Sequence, residues 1–157
     1  MATIICTGTP GTGKTKIAKL IAKKYSLDYV DVGEEIRKNK LYSYYDKKLC
    51  SYVIDKKKLV KLLRGLVKKH KNAILDSHLS HYLDKKHVKL CIVVKCDIGI
   101  LKKRLEKRRY NKKKIRENLD AEIFYVCLVE AIELGHRVVV VDTSKGFKNV
   151  FIDKVGK

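Results

Sequence analysis

Residues 8–15, GTPGTGKT, satisfy the spacing G-x-x-x-x-G-K-[ST] in full, and every residue type in that pattern suits contact with phosphate. Glycines let successive backbone N–H groups turn inward around anionic oxygens, in conformations a side chain would obstruct. A helix starting near Lys14 adds the positive end of its dipole. From there Lys14 can reach the β- and γ-phosphates of a nucleoside triphosphate, while the Thr15 hydroxyl suits the shell of a Mg²⁺ ion. This pattern, met directly after a β-rich run and directly before a helical one, predicts a triphosphate-binding loop.

Other side chains with chemical capacity are fewer. Asp76 closes the apolar run AIL, where a parallel strand would deliver a carboxylate beside the loop to hold metal-bound water. His78 follows two residues later, and a neutral imidazole there could orient a water molecule. His78, His81 and His87 carry no spacing that defines a metal site. Arg104 and Arg108 lie four apart, on one side of a helix whose Leu101 and Leu105 pack inward. The pair suits contact with a triphosphate and stabilisation of a transferring phosphoryl group, or else a solvated basic face. Arg37, soon after Gly33, is equally ambiguous on its own.

These residues need elements to position them. The runs ATIICT (2–7), DYVDV (28–32), NAIL (72–75), HVKLCIVV (88–95) and RVVVV (137–141) read as five strands. Helical spacing follows the loop, with Ile17, Ile21 and Tyr25 on one stripe, and recurs at 55–69, 97–109 and 112–134. Asp55 is a suitable cap for the second of these, and Gly135 ends the last. In that last helix Ile115, Leu119, Ile123 and Val126 form the predicted inner stripe. The tail from Lys145 could add a further helix. Strands alternating with helices predict an α/β fold, a parallel five-stranded sheet between two helical layers of the P-loop NTPase kind. No repeat or linker divides the 157 residues, so a single domain over 1–157 is expected.

Composition narrows the partners. Against 17 acidic residues stand 37 Lys and Arg, a net charge of +20. Such a surface attracts polyanions, rRNA among them, and equally fits a Lys-rich solvated surface. Ten of the fifteen residues from Lys102 to Arg116 are basic. The odd set Cys6, Cys50, Cys91, Cys96 and Cys127 has no C-x-x-C pair and predicts reduced, mostly buried thiols. No run is long and apolar enough for a membrane span and the first residues do not read as a signal peptide, so no membrane association and a cytoplasmic location are expected, with a nuclear pool as well if the source is eukaryotic.

GTPGTGKT, YVDVGEEIRKNKLYSYYD (29–46), LDSH (75–78) and RLEKRRYNKKKIRENLDAEIF (104–124) occur in the order and spacing of one family. Across roughly residues 3–130 the chain resembles the adenylate kinase isoenzyme 6 family, small atypical nucleoside monophosphate kinases also described as ribosome-assembly ATPases. The resemblance implies that Gly11, Thr12, Gly13, Lys14, Thr15 and Lys16 bind ATP, and that residues 30–53 form a region for the monophosphate (NMP), held by Arg37. It further implies that Asp76 and His78 serve Mg²⁺, water positioning and hydrolysis, and that residues 107–117 form a short lid whose Arg108 contacts the triphosphate. One departure is visible: the family carries Arg-Gly-Tyr or Arg-Gly-Trp where this chain has Arg108-Arg109-Tyr110, a change expected to stiffen the lid hinge. The implied reaction is Mg²⁺-dependent transfer of the ATP γ-phosphoryl group to AMP or a related monophosphate, with ATP hydrolysis beside it. The implied partners are small-subunit ribosomal protein uS11 and the maturing pre-30S or pre-40S particle; an ATPase assembly factor with vestigial kinase activity is the alternative.

Overall fold

The computed structural model describes residues 2–147. Five parallel strands, β1 (Ala2–Thr7), β2 (Asp28–Asp31), β5 (Asn72–Asp76), β6 (Leu90–Lys95) and β7 (Val138–Asp142), form one sheet in the order β2-β5-β1-β6-β7. Its central strands are apolar on both faces because both faces are covered. On one face α1 (Lys14–Tyr25) lays Ile17 and Ile21 against Ile4, Ile74 and Ile92. On the other, α3 (Lys56–Lys69) packs Leu59, Leu63 and Leu66 with Ile5, Leu75 and Val93. The expected three-layer α/β/α arrangement is therefore present, and all five predicted strands are in it. Asp55 caps α3 as expected, its carboxylate accepting from the Lys58 N–H.

Strand register decides where the chemistry collects. Cys6 pairs with Asp76 and Asp31 with Asp76, so β1, β2 and β5 end together at the carboxyl edge of the sheet. Ligand sites in open α/β sheets form at that edge. Leaving β2, the chain turns at once into α2 (Val32–Lys38), capped by the Asp31 side chain on the Glu34 N–H.

Three features depart from the sequence reading. First, β3 (Tyr42–Asp46) and β4 (Ser51–Ile54) pair as an antiparallel hairpin of their own, which no sequence expectation covered. Second, the predicted helix 112–134 is two helices, α5 (Lys112–Ile123) and α6 (Val126–Glu133), separated at Tyr125, whose φ is 52°. The second half of the expected stripe fails with it: Ile123 and Val126 are exposed, while Glu122 is buried and accepts from the Cys96 N–H. The break lets α6 turn Leu128 and Ala131 onto the second core. Third, residues 143–147 form turns, and the remainder of the expected last helix lies outside the described residues. Completing the set, α4 (Ile98–Lys107) seats Leu101 and Leu105 against Ile115 and Leu119 of α5.

Candidate active site

Backbone shape builds the loop between β1 and α1. Gly8 has φ 143°, and a Cβ there would overlap the Val94 carbonyl oxygen; Gly13 caps α1 with φ 97° and would meet Phe147 at 2.7 Å. Only glycine tolerates both demands. Gly11 has φ 95°, and the buried Thr12 ties the turn shut by donating from its hydroxyl to the Thr9 carbonyl at 2.8 Å.

A cleft of about 200 Å³ opens over this loop, lined by Gly11, Gly13, Lys14, Thr15, Asp31, Gly33, Asp76, Ser77, His78 and Arg108. The sequence separates these groups by up to a hundred residues, and the sheet edge collects them. Lys14 donates to the Thr9 carbonyl at 3.4 Å, and burial lowers its pKa against the opposing pull of Asp76. The Thr15 hydroxyl donates to Asp76 Oδ2 at 2.7 Å, and the Tyr29 hydroxyl donates to the same oxygen at 2.9 Å. Tyr29 went unnoticed in the sequence because nothing in a strand residue's type shows which neighbour its hydroxyl meets. His78 keeps solvent contact, yet desolvation in the cleft wall, and then the charges of Lys14, His81 and Lys114, push its pKa down to about 4. Its imidazole is neutral at physiological pH.

The two arginines of α4 part company. Arg108, at the C-terminus of α4, faces the cleft. Arg104 points to the underside of the loop: its Nη1 donates to the carbonyls of Gly11 (3.3 Å) and Thr12 (3.2 Å) and to the Thr143 hydroxyl (3.1 Å), while Nη2 donates to the Thr143 carbonyl (3.3 Å). Its geometry is that of a brace, which corrects the expectation that the pair acts together on phosphate. Lys16 is exposed, with its ammonium 4.2 Å from the centre of the Phe147 ring. Arg37 is exposed on α2, its guanidinium beside Gly33 of the cleft.

Beyond His78 a larger cavity of about 550 Å³ runs between the loop, the hairpin and α5, lined by Thr9, Pro10, Ser51, Tyr82, Tyr110 and Lys114 among others. The hairpin turn and α5 meet across it: Asn111 donates to the Lys48 carbonyl at 3.1 Å and Lys114 to the Cys50 carbonyl at 3.2 Å. Arg109, where the resembled family carries glycine, has φ 56°. The turn between α4 and α5 thus keeps a glycine-like backbone at a cost of about 1–2 kcal/mol.

His81 belongs to the core. It is buried, donates through Nε2 to Glu130 at 2.8 Å and accepts at Nδ1 from the Thr7 hydroxyl at 2.8 Å. His136 donates to the His81 carbonyl at 2.7 Å. Cys6, Cys91 and Cys96 are buried, Cys127 partly so and Cys50 exposed, and all five are free thiols.

Comparison with known proteins gives the family and the fold. An AAA domain family model matches residues 4–125. An adenylate kinase isoenzyme 6 homolog of Dictyostelium discoideum is 36% identical over 139 residues, covering 88% of this chain and 79% of that protein. The chain belongs to the adenylate kinase isoenzyme 6 family. A homolog of the same name in Saccharomyces cerevisiae is 32% identical over 155 residues, 98% of this chain and 78% of that one. Identity reaches 40% against a Methanocaldococcus jannaschii protein over 152 residues, 97% of this chain and 82% of that one. Among solved structures, a shikimate kinase from Bacteroides thetaiotaomicron superposes with a TM-score of 0.60 at 14% identity, over 90% of this chain and 85% of that one. That likeness speaks to the fold, a P-loop kinase fold; the family is an adenylate kinase-like one. Among the described residues no helix is long and apolar enough to cross a membrane.

Proposed function

We propose that the protein is a nucleoside monophosphate kinase that transfers the γ-phosphoryl group of ATP to AMP or a related monophosphate, with slower transfer to water. The observation that carries this reading is that Lys14, Asp76, His78 and Arg108 line one cleft whose far wall is Asp31 and Gly33, next to Arg37. A donor-side lysine and an acceptor-side arginine thus border the same cleft. The adjoining cavity of about 550 Å³ falls in the size range of small-molecule sites and suits an acceptor nucleoside. Residues 30–53 then act as the monophosphate region and 107–117 as the lid, within one domain.

In this mechanism the loop N–H groups and Lys14 hold the triphosphate, and Arg37 holds the monophosphate in line with it. An oxygen of the acceptor phosphate forms the new bond to the γ-phosphorus as the bond to the β–γ bridging oxygen breaks, so two nucleoside diphosphates leave. The chain contributes position, and charge placed where the transferring group becomes more negative, from Lys14 and Arg108. Thr15 Oγ1 and Asp76 Oδ2, two hard oxygens 2.7 Å apart, fit a hard divalent cation such as Mg²⁺. Bound there, with Asp76 acting through water, the ion would neutralise phosphate charge. His78, neutral and at the same point, orients a water molecule when no acceptor is present. By membership of its family we extend the proposal to small ribosomal subunit maturation through transient binding of uS11 and the pre-30S or pre-40S particle. The basic surface is available to rRNA. The test is steady-state ADP formation from ATP with and without AMP, in the native chain and in Lys14→Ala. Acceleration by AMP that Lys14→Ala abolishes together with hydrolysis supports the proposal; turnover insensitive to AMP overturns it.

A further inference from the structure

The run YSYYD (42–46) and the basic stretch from Lys102 to Arg116 are only partly used by phosphoryl transfer. The fold brings them together. Tyr45 and Tyr52 pair directly across the hairpin, so their rings share one face, and the half-buried Tyr42 joins them. Mutual contact explains why the three rings gather, with the Tyr52 centre 4.3 Å from Tyr42 and 4.9 Å from Tyr45. It does not explain why Tyr45 stays 47% exposed and Tyr52 56% exposed.

Cations stand at the turn end of the same hairpin. Lys47 and Lys48 form the turn and are exposed. The turn rests on the lid, through Asn111 on the Lys48 carbonyl and Lys114 on the Cys50 carbonyl. There the lid adds Arg109, Lys112 and Lys113, all exposed, while Lys114 lies over the Tyr110 ring at 4.1 Å. Among the described residues no carboxylate pairs with Lys47, Lys48, Arg109, Lys112 or Lys113. Glu106 is the one acidic residue of the stretch 102–116. Asp46, the acid of the hairpin, spends Oδ1 on the Lys48 and Leu49 N–H groups.

Open aromatic faces beside unpaired cations match single-stranded nucleic acid, whose bases stack on rings while its phosphates meet lysine and arginine. A duplex stacks its bases on one another and offers these rings no face. An anionic lipid surface is the weaker match. Among the described residues the exposed large apolar side chains of the hairpin are tyrosines alone, Tyr44, Tyr45 and Tyr52, with no aliphatic anchor to enter a bilayer.

We propose that the open face of the β3–β4 hairpin and the lid beside it form a docking surface for single-stranded nucleic acid. Bases stack on Tyr45 and Tyr52, and Lys47, Lys48, Lys112 and Lys113 hold the phosphates. This deepens the rRNA part of the functional reading, giving it a place and a strandedness, and is independent of the kinase part.

The experiment titrates the full chain, without ATP or AMP, into a fluorescently labelled 12-nucleotide oligouridylate and, in parallel, a 12-base-pair RNA duplex, reading anisotropy. Tyr45→Ser with Tyr52→Ser should weaken the single strand at least tenfold and the duplex less than twofold, the duplex arm showing that the variant is folded. Tyr45→Leu with Tyr52→Leu, which keeps apolar bulk on the hairpin, should show the same loss. Tyr45→Phe with Tyr52→Phe keeps both rings and should bind as the native chain does. Tyr44 is 60% exposed on the other face of the hairpin, so Tyr44→Ser should change nothing. Lys112→Ala with Lys113→Ala should reduce the slope of log affinity against log salt by about 1.4. Undiminished single-strand binding by both ring-free pairs, or equal loss of single strand and duplex, overturns the proposal and leaves charge alone at work. Failure of the native chain to bind the oligonucleotide overturns it as well; sedimentation with phosphatidylglycerol vesicles that the serine pair abolishes would then assign the face to a lipid surface. ADP formation from ATP and AMP is a separate measurement, so failure here and failure of the kinase reading are distinguishable.

Discussion

Replacing Arg104 with alanine should cost the protein stability first and catalysis second. One guanidinium serves four acceptors, the carbonyls of Gly11, Thr12 and Thr143 and the Thr143 hydroxyl, at 3.1–3.3 Å. It thereby ties the phosphate-binding loop to the strand end after β7. Hydrogen bonds from a charged donor contribute about 1.5–3 kcal/mol each when both partners are dry. Arg104 is only partly buried and one nitrogen carries three of the bonds, so water will replace some of the loss. A net destabilisation of about 2–3 kcal/mol follows, hence a fall in Tm of roughly 5–10 °C for a chain of this length. Because the loop would lose its brace on the side away from the phosphates, the KM for ATP should rise severalfold while kcat falls less. Arg108→Ala should give the converse, near-native Tm with a loss in kcat. Differential scanning fluorimetry and steady-state kinetics on the two variants decide the matter. If Arg104→Ala melts like the native chain and loses kcat as Arg108→Ala does, Arg104 acts on phosphate and the brace is wrong.

Other perturbations read other parts of the cleft. Arg37→Ala should raise the KM for AMP, or cut transfer to it, while ATP hydrolysis persists; equal loss of both activities would place Arg37 elsewhere. His78→Ala should depress hydrolysis more than AMP phosphorylation, measured as ADP formation with and without AMP, and parallel loss would reject a role toward water. With its pKa pushed down to about 4 from 6.5, His78 stays neutral in the folded chain while the unfolded chain takes up the proton. Its contribution to stability is therefore intact above pH 6.5 and lost as pH falls toward 4, and hydrolysis should show no inflection near 6.5. Gly65 lies exposed in α3 with open space where a Cβ would go. Gly65→Ala should stabilise by about 0.5–1 kcal/mol through helix propensity, a rise in Tm of roughly 1–4 °C.

The strands of the sheet and the loop were legible because each carries a local signal. A continuous apolar run bounded by turn residues marks a strand covered on both faces, and GTPGTGKT encodes its own backbone. What stayed hidden depends on side chains choosing partners across the fold. Arg104 and Arg108 share a residue type and a helix side, yet one finds carbonyls and the other open cleft, a difference made by the position of Thr143. Tyr29 and Asp76 meet because β2 and β5 are neighbours in an order that the chain sequence does not display. The break at Tyr125 escaped because Ile123 and Val126 continue a helical period, and nothing local announces that Glu122 will be the buried member. The tyrosine hairpin escaped for a related reason. Tyr42, Tyr45 and Tyr52 gather on one side, with the Tyr52 ring centre 4.3 Å from Tyr42 and 4.9 Å from Tyr45. Cross-strand pairing of that kind leaves no simple alternation once a bulge intervenes between Tyr42 and Tyr44. At Arg109, where the resembled family carries glycine, the backbone takes φ 56°, a left-handed conformation that the residue type does not announce.

The central claim is that one cleft passes a phosphoryl group from a triphosphate to a monophosphate. The most direct measurement supplies ATP radiolabelled at the γ-phosphorus together with unlabelled AMP and Mg²⁺, and separates the products. The account predicts label in ADP, formed faster than labelled inorganic phosphate, with both products lost in Lys14→Ala. Label appearing in inorganic phosphate alone, at a rate that AMP leaves unchanged, would contradict it.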